Sequence, residues 1–138
     1  MSYGPFHYAV GREKVKEYAR AVGETDPLHL DHEAARTAGH PDVVAPPMFA
    51  VVYAAPAIAA ALFDPALGID FNRLVHGAQE FTWGPLVVAG DEIDTTAEVA
   101  EQSTRGELEV HVFATVSRNG HGEVVCEGRW TNFVRAAE

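Results

Sequence analysis

The chain has 138 residues, of which 47% are hydrophobic and 22% charged, and its formal net charge at pH 7 is −10. This length and balance are typical of a single globular domain, here spanning residues 1–138. The acidic balance argues against nucleic-acid binding, which needs a basic face to neutralise phosphates. The lone cysteine, Cys126, excludes an internal disulfide and a paired-cysteine metal site, and its strand-like surroundings favour a small core residue.

Two stretches bear on targeting and membranes. The N-terminal residues carry neither the basic start nor the apolar run of a signal peptide. The longest apolar stretch, residues 43–63, is rich in alanine, contains three prolines and has no flanking lysine or arginine. It therefore predicts a buried helix rather than a membrane span, and we expect a cytoplasmic protein.

The first third of the chain predicts one short strand followed by helices. The strand is expected over Phe6–Val10. Apolar residues at helical spacing then predict an amphipathic helix that begins at Gly11 and ends at Gly23. Asp31 is placed to cap a short helix from His32 to about Ala38.

A central helix is predicted to begin at Ala45-Pro46-Pro47, because proline suits the first turn of a helix. An apolar stripe follows, and a helix that is apolar all round is a buried one. The members of the predicted stripe are Met48, Val51, Val52, Ala55, Ile58, Ala59 and Leu62. Pro56 lies within this helix and should kink or divide it.

The second half of the chain changes to a two-residue period. Strands are predicted over residues 74–83, 93–99, 108–116 and 124–134, with glycine-containing turns between them. Helices followed by an antiparallel meander indicate the α+β class, with a long antiparallel sheet wrapped around the central buried helix. Such a sheet leaves open edges, so we expect a dimer.

The sequence also predicts where four side chains of these strands lie relative to the core. Counting by two puts His76 and Gln79 on opposite faces, so that at most one of them should face the core or a cleft. His76 is expected to pack across strands. Trp83 and Trp130 are expected to be core or interface aromatics.

The most informative segment is GETDPLHLD, residues 23–31. It resembles the hydratase signature G-D-x-N-P-L/I-H-x-D of the MaoC-like hotdog family, with Glu24 at the position of the catalytic aspartate and Asp26 at that of the asparagine. Residues 45–48, APPM, resemble the family's AHGM run with the HG pair replaced by two prolines, and Gly90-Asp91 fits a later family element. The resemblance implies one hotdog domain that acts on acyl thioesters.

The resemblance also implies the roles of individual residues. His29 and Glu24 take the places of the acid–base pair that adds water across an enoyl thioester or removes it. Asp26, Pro47 and Met48 take the places of substrate-binding residues. Glutamate is one methylene longer than aspartate, and Pro47 has no N–H to donate to the thioester oxygen, so the Met48 N–H would have to substitute.

No cofactor is expected, and no metal site. Although His29 and Asp31 lie close to His32 and His40, no spacing among them matches a known closed zinc site, and Asp31 has a capping role. Asp26 also fits a plain helix cap or Asx turn, and His29 an inert histidine near a turn.

Two functions remain open from the sequence. The first is an (R)-specific enoyl-thioester hydratase, or the reverse 3-hydroxyacyl-thioester dehydratase, acting on acyl-CoA or acyl-carrier-protein thioesters. The second is a non-catalytic acyl-thioester-binding subunit that pairs with a catalytic partner. The segments VVAPPMFAVV and LVHGAQEFTW are similar to the N-terminal MaoC-type dehydratase domain, a subgroup that includes the substrate-holding subunit of heterodimeric (3R)-hydroxyacyl-ACP dehydratases.

Either function implies a homodimer or a heterodimer with another hotdog subunit. A hotdog thioesterase is disfavoured, because residues 48–62 offer no carboxylate.

Overall fold

Five antiparallel strands form one sheet in the order β1-β3-β4-β5-β2. In the computed structural model, which describes residues 1–137, the strands are β1 (Ser2–Ala9), β2 (Leu74–Trp83), β3 (Glu92–Arg105), β4 (Leu108–Arg118) and β5 (Val124–Val134). The predicted α+β class and all four strands of the second half are confirmed. The first strand begins four residues earlier than predicted and, with β2, forms an edge of the sheet.

Five short helices lie in the first half of the chain. They are α1 (Arg12–Ala21), α2 (Pro27–Leu30), α3 (His32–Thr37), α4 (Ala50–Tyr53) and α5 (Ala55–Leu62), with a 3₁₀ turn at Pro47–Phe49 before α4. Further 3₁₀ turns at Pro65–Leu67 and Phe71–Arg73 lead into β2. No helix of residues 1–137 is long and apolar enough to cross a bilayer.

The central helix is divided, as predicted from Pro56. Its first part, α4, ends at Tyr53, and its second part, α5, begins at Ala55 with Pro56 in its first turn. The 3₁₀ turn and the interruption at Ala54 both change the angular phase of the side chains, which a single count at helical spacing cannot follow.

The predicted apolar stripe is therefore wrong at three positions. Met48 is 44% exposed, and Ala55 and Ala59 are also exposed. The buried face consists instead of residues on both sides of the interruption: Phe49, Ala50, Tyr53, Ala54, Ala57, Ile58 and Ala61. Four of these seven residues are alanines, which let the sheet approach the helix backbone closely.

Phe49 is the centre of the packing between helices and sheet. Its fully buried ring contacts Tyr8 of β1, Tyr18 of α1 and Tyr53 of α4 edge-on, at centroid distances of 6.2, 5.4 and 6.2 Å. Edge-to-face pairs of this kind stabilise a core beyond the area that they bury. The central helix is thereby fixed against both α1 and the first strand.

A bulge at Gly77 changes the faces predicted for β2. Opposite β5, His76 pairs with Asn132 and Ala78 with Thr131, so Gly77 is the extra residue. His76 and Gln79 consequently share the concave face with Trp130, on whose ring His76 stacks at 6.2 Å. The prediction that they lie on opposite faces is wrong, because counting by two holds only in an unbroken ladder. Buried Trp130 and the cross-strand packing of His76 agree with expectation.

Replacing Gly77 with alanine should destabilise the fold, because the added Cβ would overlap the ring of Phe133. Overpacking of this kind costs roughly 1–3 kcal/mol. The control is Gly120→Ala, since nothing lies within 4 Å of a Cβ at Gly120. Urea unfolding should lower the free energy of unfolding for Gly77→Ala only, and equal values for both variants would contradict this account of the bulge.

Candidate functional site

The segment between α1 and α3 is built from helix ends. Gly23 adopts φ +78°, a left-handed conformation that ends α1, and the Glu24 N–H donates to the Ala19 carbonyl at 2.8 Å. Asp26 caps α2 by accepting the Leu28 N–H at 3.0 Å. Asp31 caps α3 in the same way, as predicted. These caps turn the chain sharply and place His29 on the short helix α2.

His29 is bonded to the backbone across the site. Its Nδ1 lies 2.5 Å from the carbonyl oxygen of Val44, and the side chain is half-buried. A carbonyl only accepts, so Nδ1 carries the proton of the bond, and in a neutral ring Nε2 then keeps a free lone pair. This tautomer suits a group that takes a proton from water.

The Val44 carbonyl is itself held firmly. The Val44 N–H donates to the Leu28 carbonyl at 2.8 Å, so the two backbone polar groups of Val44 bond to two neighbouring residues of α2. On the other edge of this extended segment, Ala89 N–H donates to the Val43 carbonyl at 3.0 Å and Ala45 N–H to the Val87 carbonyl at 2.8 Å. Residues 43–45 are buried and connect α2 to the loop before β3.

An apolar pocket begins where this segment continues. About 540 Å³ of empty space, including its open mouth, lies between the central helix and the end of β2. Its lining is almost entirely apolar and consists of Ala45, Pro46, Pro47, Tyr53, Trp83, Gly84, Pro85, Leu86, Val87 and Val125. Burial raises the pKa of Tyr53 above its ordinary value, so its hydroxyl stays neutral. The pocket fits an uncharged, apolar group.

Trp83 closes one side of the pocket. It lies on the edge strand β2 and is 48% exposed, and its Nε1–H donates to the Pro47 carbonyl at 2.8 Å. This bond ties the sheet edge to the first turn of the central helix. The sequence predicted only that Trp83 is a core or interface aromatic, because its backbone partner lies 36 residues away.

The residues predicted for the site occupy different parts of it. Pro47 lines the pocket, whereas His29 contacts the segment that leads into it. Met48 lies in the 3₁₀ turn before α4, and its N–H has no acceptor within residues 1–137. Glu24 is half-buried, and in the described chain its side chain makes no hydrogen bond to His29. Asp26 is engaged with its own helix.

Metal-ligand clusters are absent from the part of the chain that the structure describes: no three His, Cys, Asp or Glu side chains of residues 1–137 are grouped to hold an ion. Cys126 is buried in the core, where desolvation raises the pKa of its thiol. A neutral buried thiol is a poor nucleophile.

A two-point ion pair near the site joins Arg12 to Asp42. Arg12 Nε and Nη2 donate to the two carboxylate oxygens at 3.0 and 2.8 Å. This guanidinium, helped by the Val43 N–H, lowers the pKa of Asp42 to about 2. The pair fixes the beginning of α1 to the segment that carries the Val44 carbonyl.

A family model and curated relatives both match most of this chain. The model of the FAS1-like dehydratase domain region matches residues 1–128. A UPF0336 protein of Saccharopolyspora erythraea is 41% identical over 128 residues, which cover 93% of this chain and 82% of that protein.

Solved structures agree with these sequence matches. The HadBC complex of Mycobacterium tuberculosis, a (3R)-hydroxyacyl-ACP dehydratase, has a chain that superposes with a TM-score of 0.82 at 28% identity, covering 96% of this chain and 94% of that one. A MaoC-like dehydratase superposes with a TM-score of 0.85 at 29% identity, covering 99% of this chain but 42% of that chain. The resemblance to MaoC-like hotdog proteins inferred from the motifs is confirmed.

The Arg12–Asp42 pair makes a prediction about acid stability. Because the folded pKa of Asp42 lies below its ordinary value of 3.8, the pair stabilises the fold above about pH 4, and this stabilisation is lost as the pH falls towards 2. Asp42→Asn should cost on the order of 1–2 kcal/mol at pH 7 and progressively less in acid. Unfolding by urea across this pH range measures the difference.

The control for this titration is Glu107→Gln, since Glu107 is exposed and makes no ion pair within residues 1–137. Its unfolding free energy should follow that of the wild type at every pH. A constant difference between wild type and Asp42→Asn from pH 7 to pH 2 would contradict the assignment.

Proposed function

The chain belongs to the family of FAS1-like dehydratase domains, and we propose that it is an (R)-specific enoyl-thioester hydratase, or the reverse 3-hydroxyacyl-thioester dehydratase, acting on acyl-CoA or acyl-carrier-protein thioesters. One observation carries the proposal: His29 Nδ1–H is bonded to the Val44 carbonyl, which leaves Nε2 free to accept a proton. The apolar pocket supports it, because residues 45–47 connect this histidine to a lining suited to an acyl chain.

In the proposed reaction, water adds to the double bond of the enoyl thioester. The water oxygen bonds to C3 as one group of the site takes its proton, and a second group delivers a proton to C2. His29 Nε2 takes the proton of the water, and Glu24 acts in this step as a neutral carboxylic acid that gives its proton to C2. Transfer of the proton from His29 back to Glu24 then restores both groups. Dehydration runs through the same steps in reverse. The unpaired Met48 N–H is the donor proposed for the thioester oxygen, where negative charge develops.

A second function is favoured by two specific observations. Pro47 has no N–H at the position where the family has a donor, and removal of one such donor costs on the order of 10²–10³ in kcat. Glu24 and His29 are not joined by a hydrogen bond in the described chain. Both features are expected of a subunit that binds the acyl thioester while a catalytic partner supplies the acid–base pair.

Either function is proposed for a cytoplasmic homodimer, or for a heterodimer with another hotdog subunit. The edge strand β2 supports an assembly, since it has one unpaired side and exposes Val75 and Trp83 at 43% and 48%. The HadBC protein that resembles this chain is itself a complex.

Substitution of His29 separates the two functions. In the hydratase, His29→Ala removes a proton-transfer group, and hydration of crotonyl-CoA should fall by about 10²–10⁴-fold. Loss of the bond to the Val44 carbonyl should cost only about 0.5–1.5 kcal/mol of stability. Glu24→Asp restores the family residue and should leave the rate unchanged or raise it. His121→Ala, in an exposed turn, is the matched control and should have no effect.

The alternative outcome is equally specific. If the purified wild type hydrates no short, medium or branched enoyl-CoA, while both variants retain the thioester in calorimetry, the chain is the binding subunit. If it neither hydrates nor binds enoyl thioesters, both functions are wrong.

Ligand binding should also be visible at Trp83. Because this indole lines the apolar pocket and Trp130 is buried elsewhere in the core, hexanoyl-CoA should change the fluorescence of the wild type but not of Trp83→Phe. The substitution removes the bond to the Pro47 carbonyl, which should cost about 0.5–1.5 kcal/mol in urea unfolding. An identical fluorescence change in both proteins would place the acyl chain outside this pocket.

A further inference from the structure

We propose that Asp42, held by Arg12, is a positioning residue that sets the tautomer of His29 through the backbone of Val44. The inference deepens the proposed function and rests on it for its catalytic consequence, but its direct consequence, the location of one ring proton, is measurable without turnover. Neither residue belongs to the motif that suggested the site.

The first link is the clamp on Asp42. Its carboxylate receives both Arg12 donors at 3.0 and 2.8 Å, accepts the Val43 N–H at 2.8 Å, and lies 4.0 Å from Arg36 Nη2. The Asp42 side chain is only 16% exposed, so water screens these contacts weakly. The carboxylate therefore fixes both the position of α1 and the direction of the chain entering Val43.

The second link is the alternation of the extended segment that follows. The Val43 carbonyl and the Ala45 N–H bond to residues 87–89, whereas both backbone polar groups of Val44 bond to α2. The bonds to residues 87–89 hold one edge of the segment against the loop before β3. The other edge is held to the α1–α2 unit by Val44 and by the Arg12–Asp42 pair.

The consequence concerns the ring of His29. Without the clamp, the α1–α2 unit loses one of its two attachments to the segment, and the bond from His29 Nδ1–H to the Val44 carbonyl lengthens. A neutral imidazole without a fixed acceptor distributes its proton between both nitrogens, and the form with a proton on Nε2 cannot accept one from water. Loss of Asp42 should therefore lower the fraction of His29 in the competent tautomer.

The test is two-bond ¹H–¹⁵N correlation spectroscopy of the full chain with ¹⁵N-labelled histidine at pH 8, where an ordinary histidine is neutral. The His29 signal is assigned by its loss in His29→Ala. In the wild type, we expect Nδ1 protonated and Nε2 unprotonated. In Asp42→Asn and Arg12→Gln, we expect both nitrogen shifts to move towards each other, as in a mixture of tautomers.

Asp70→Asn is the matched control, because Asp70 also pairs with an arginine, Arg73 at 2.9 Å, but within residues 1–137 makes no hydrogen bond or ion pair to α2 or to residues 43–45. It should leave the His29 shifts unchanged. Arg12→Lys keeps the charge but not the two-point geometry, and should give an intermediate shift. Thermal unfolding of each variant confirms that the spectra come from folded protein, and Arg12→Gln tests the clamp if Asp42→Asn does not fold.

The outcomes separate this inference from the proposed function. The positioning role would be overturned if Asp42→Asn and Arg12→Gln fold and keep the wild-type nitrogen chemical shifts of His29. This holds whether or not the protein hydrates enoyl-CoA. Shifted tautomers in a protein without hydratase activity would support positioning and contradict the hydratase function. If both hold, kcat should fall about 10-fold in Asp42→Asn with little change in KM, as expected for a mispositioned base.

Discussion

The hydrogen bonds of the Val44 backbone are the contacts on which the candidate site depends. The N–H and carbonyl of Val44 bond to Leu28 and His29 of α2, while its neighbours bond to residues 87–89 before β3. This extended segment of three residues therefore joins α2 to the loop before β3. Because a backbone carbonyl cannot donate, this segment also determines which nitrogen of His29 bears the proton.

The central helix and the turn before it form one wall of the apolar pocket, through Tyr53 and Pro47. The buried alanines of the helix bring it close to the sheet, Phe49 fixes it against β1 and α1, and its first turn is tied to the sheet edge by the bond from Trp83 to the Pro47 carbonyl. The space left between this turn and the end of β2 is the apolar pocket. His29 thus bonds to Val44, and the apolar pocket begins at the next residue of the same segment, Ala45.

Much of the fold could be predicted from the sequence, because it depends on local signals. The change from a helical to a two-residue period located the strands, Asp31 marked the cap of α3, and Pro56 marked the division of the central helix. Two predictions, the buried face of the central helix and the faces of β2, were wrong because a regular period does not describe turns and bulges. The 3₁₀ turn at Pro47–Phe49 changed the phase of the buried face, and the bulge at Gly77 turned His76 onto the face of Gln79.

The candidate site was predictable only in part. The motif of residues 23–31 identified His29, but the acceptor that orients it is a backbone carbonyl 15 residues away, and any residue type at position 44 would provide one. Trp83 and the Arg12–Asp42 pair depend likewise on contacts across 36 and 30 residues. Such partners are brought together by the packing of helix against sheet. Short-range patterns in the sequence therefore cannot predict them.

A crystal structure of the protein with a non-hydrolysable crotonyl-CoA analogue would show whether His29 and the apolar pocket bind one acyl thioester. We predict that the acyl chain lies in the pocket between Tyr53 and Trp83 and that the thioester oxygen lies about 3 Å from the Met48 N–H. His29 Nε2 should face C3 with room for one water. An acyl chain bound elsewhere, or a His29 ring whose Nε2 is turned away from the thioester, would contradict this prediction.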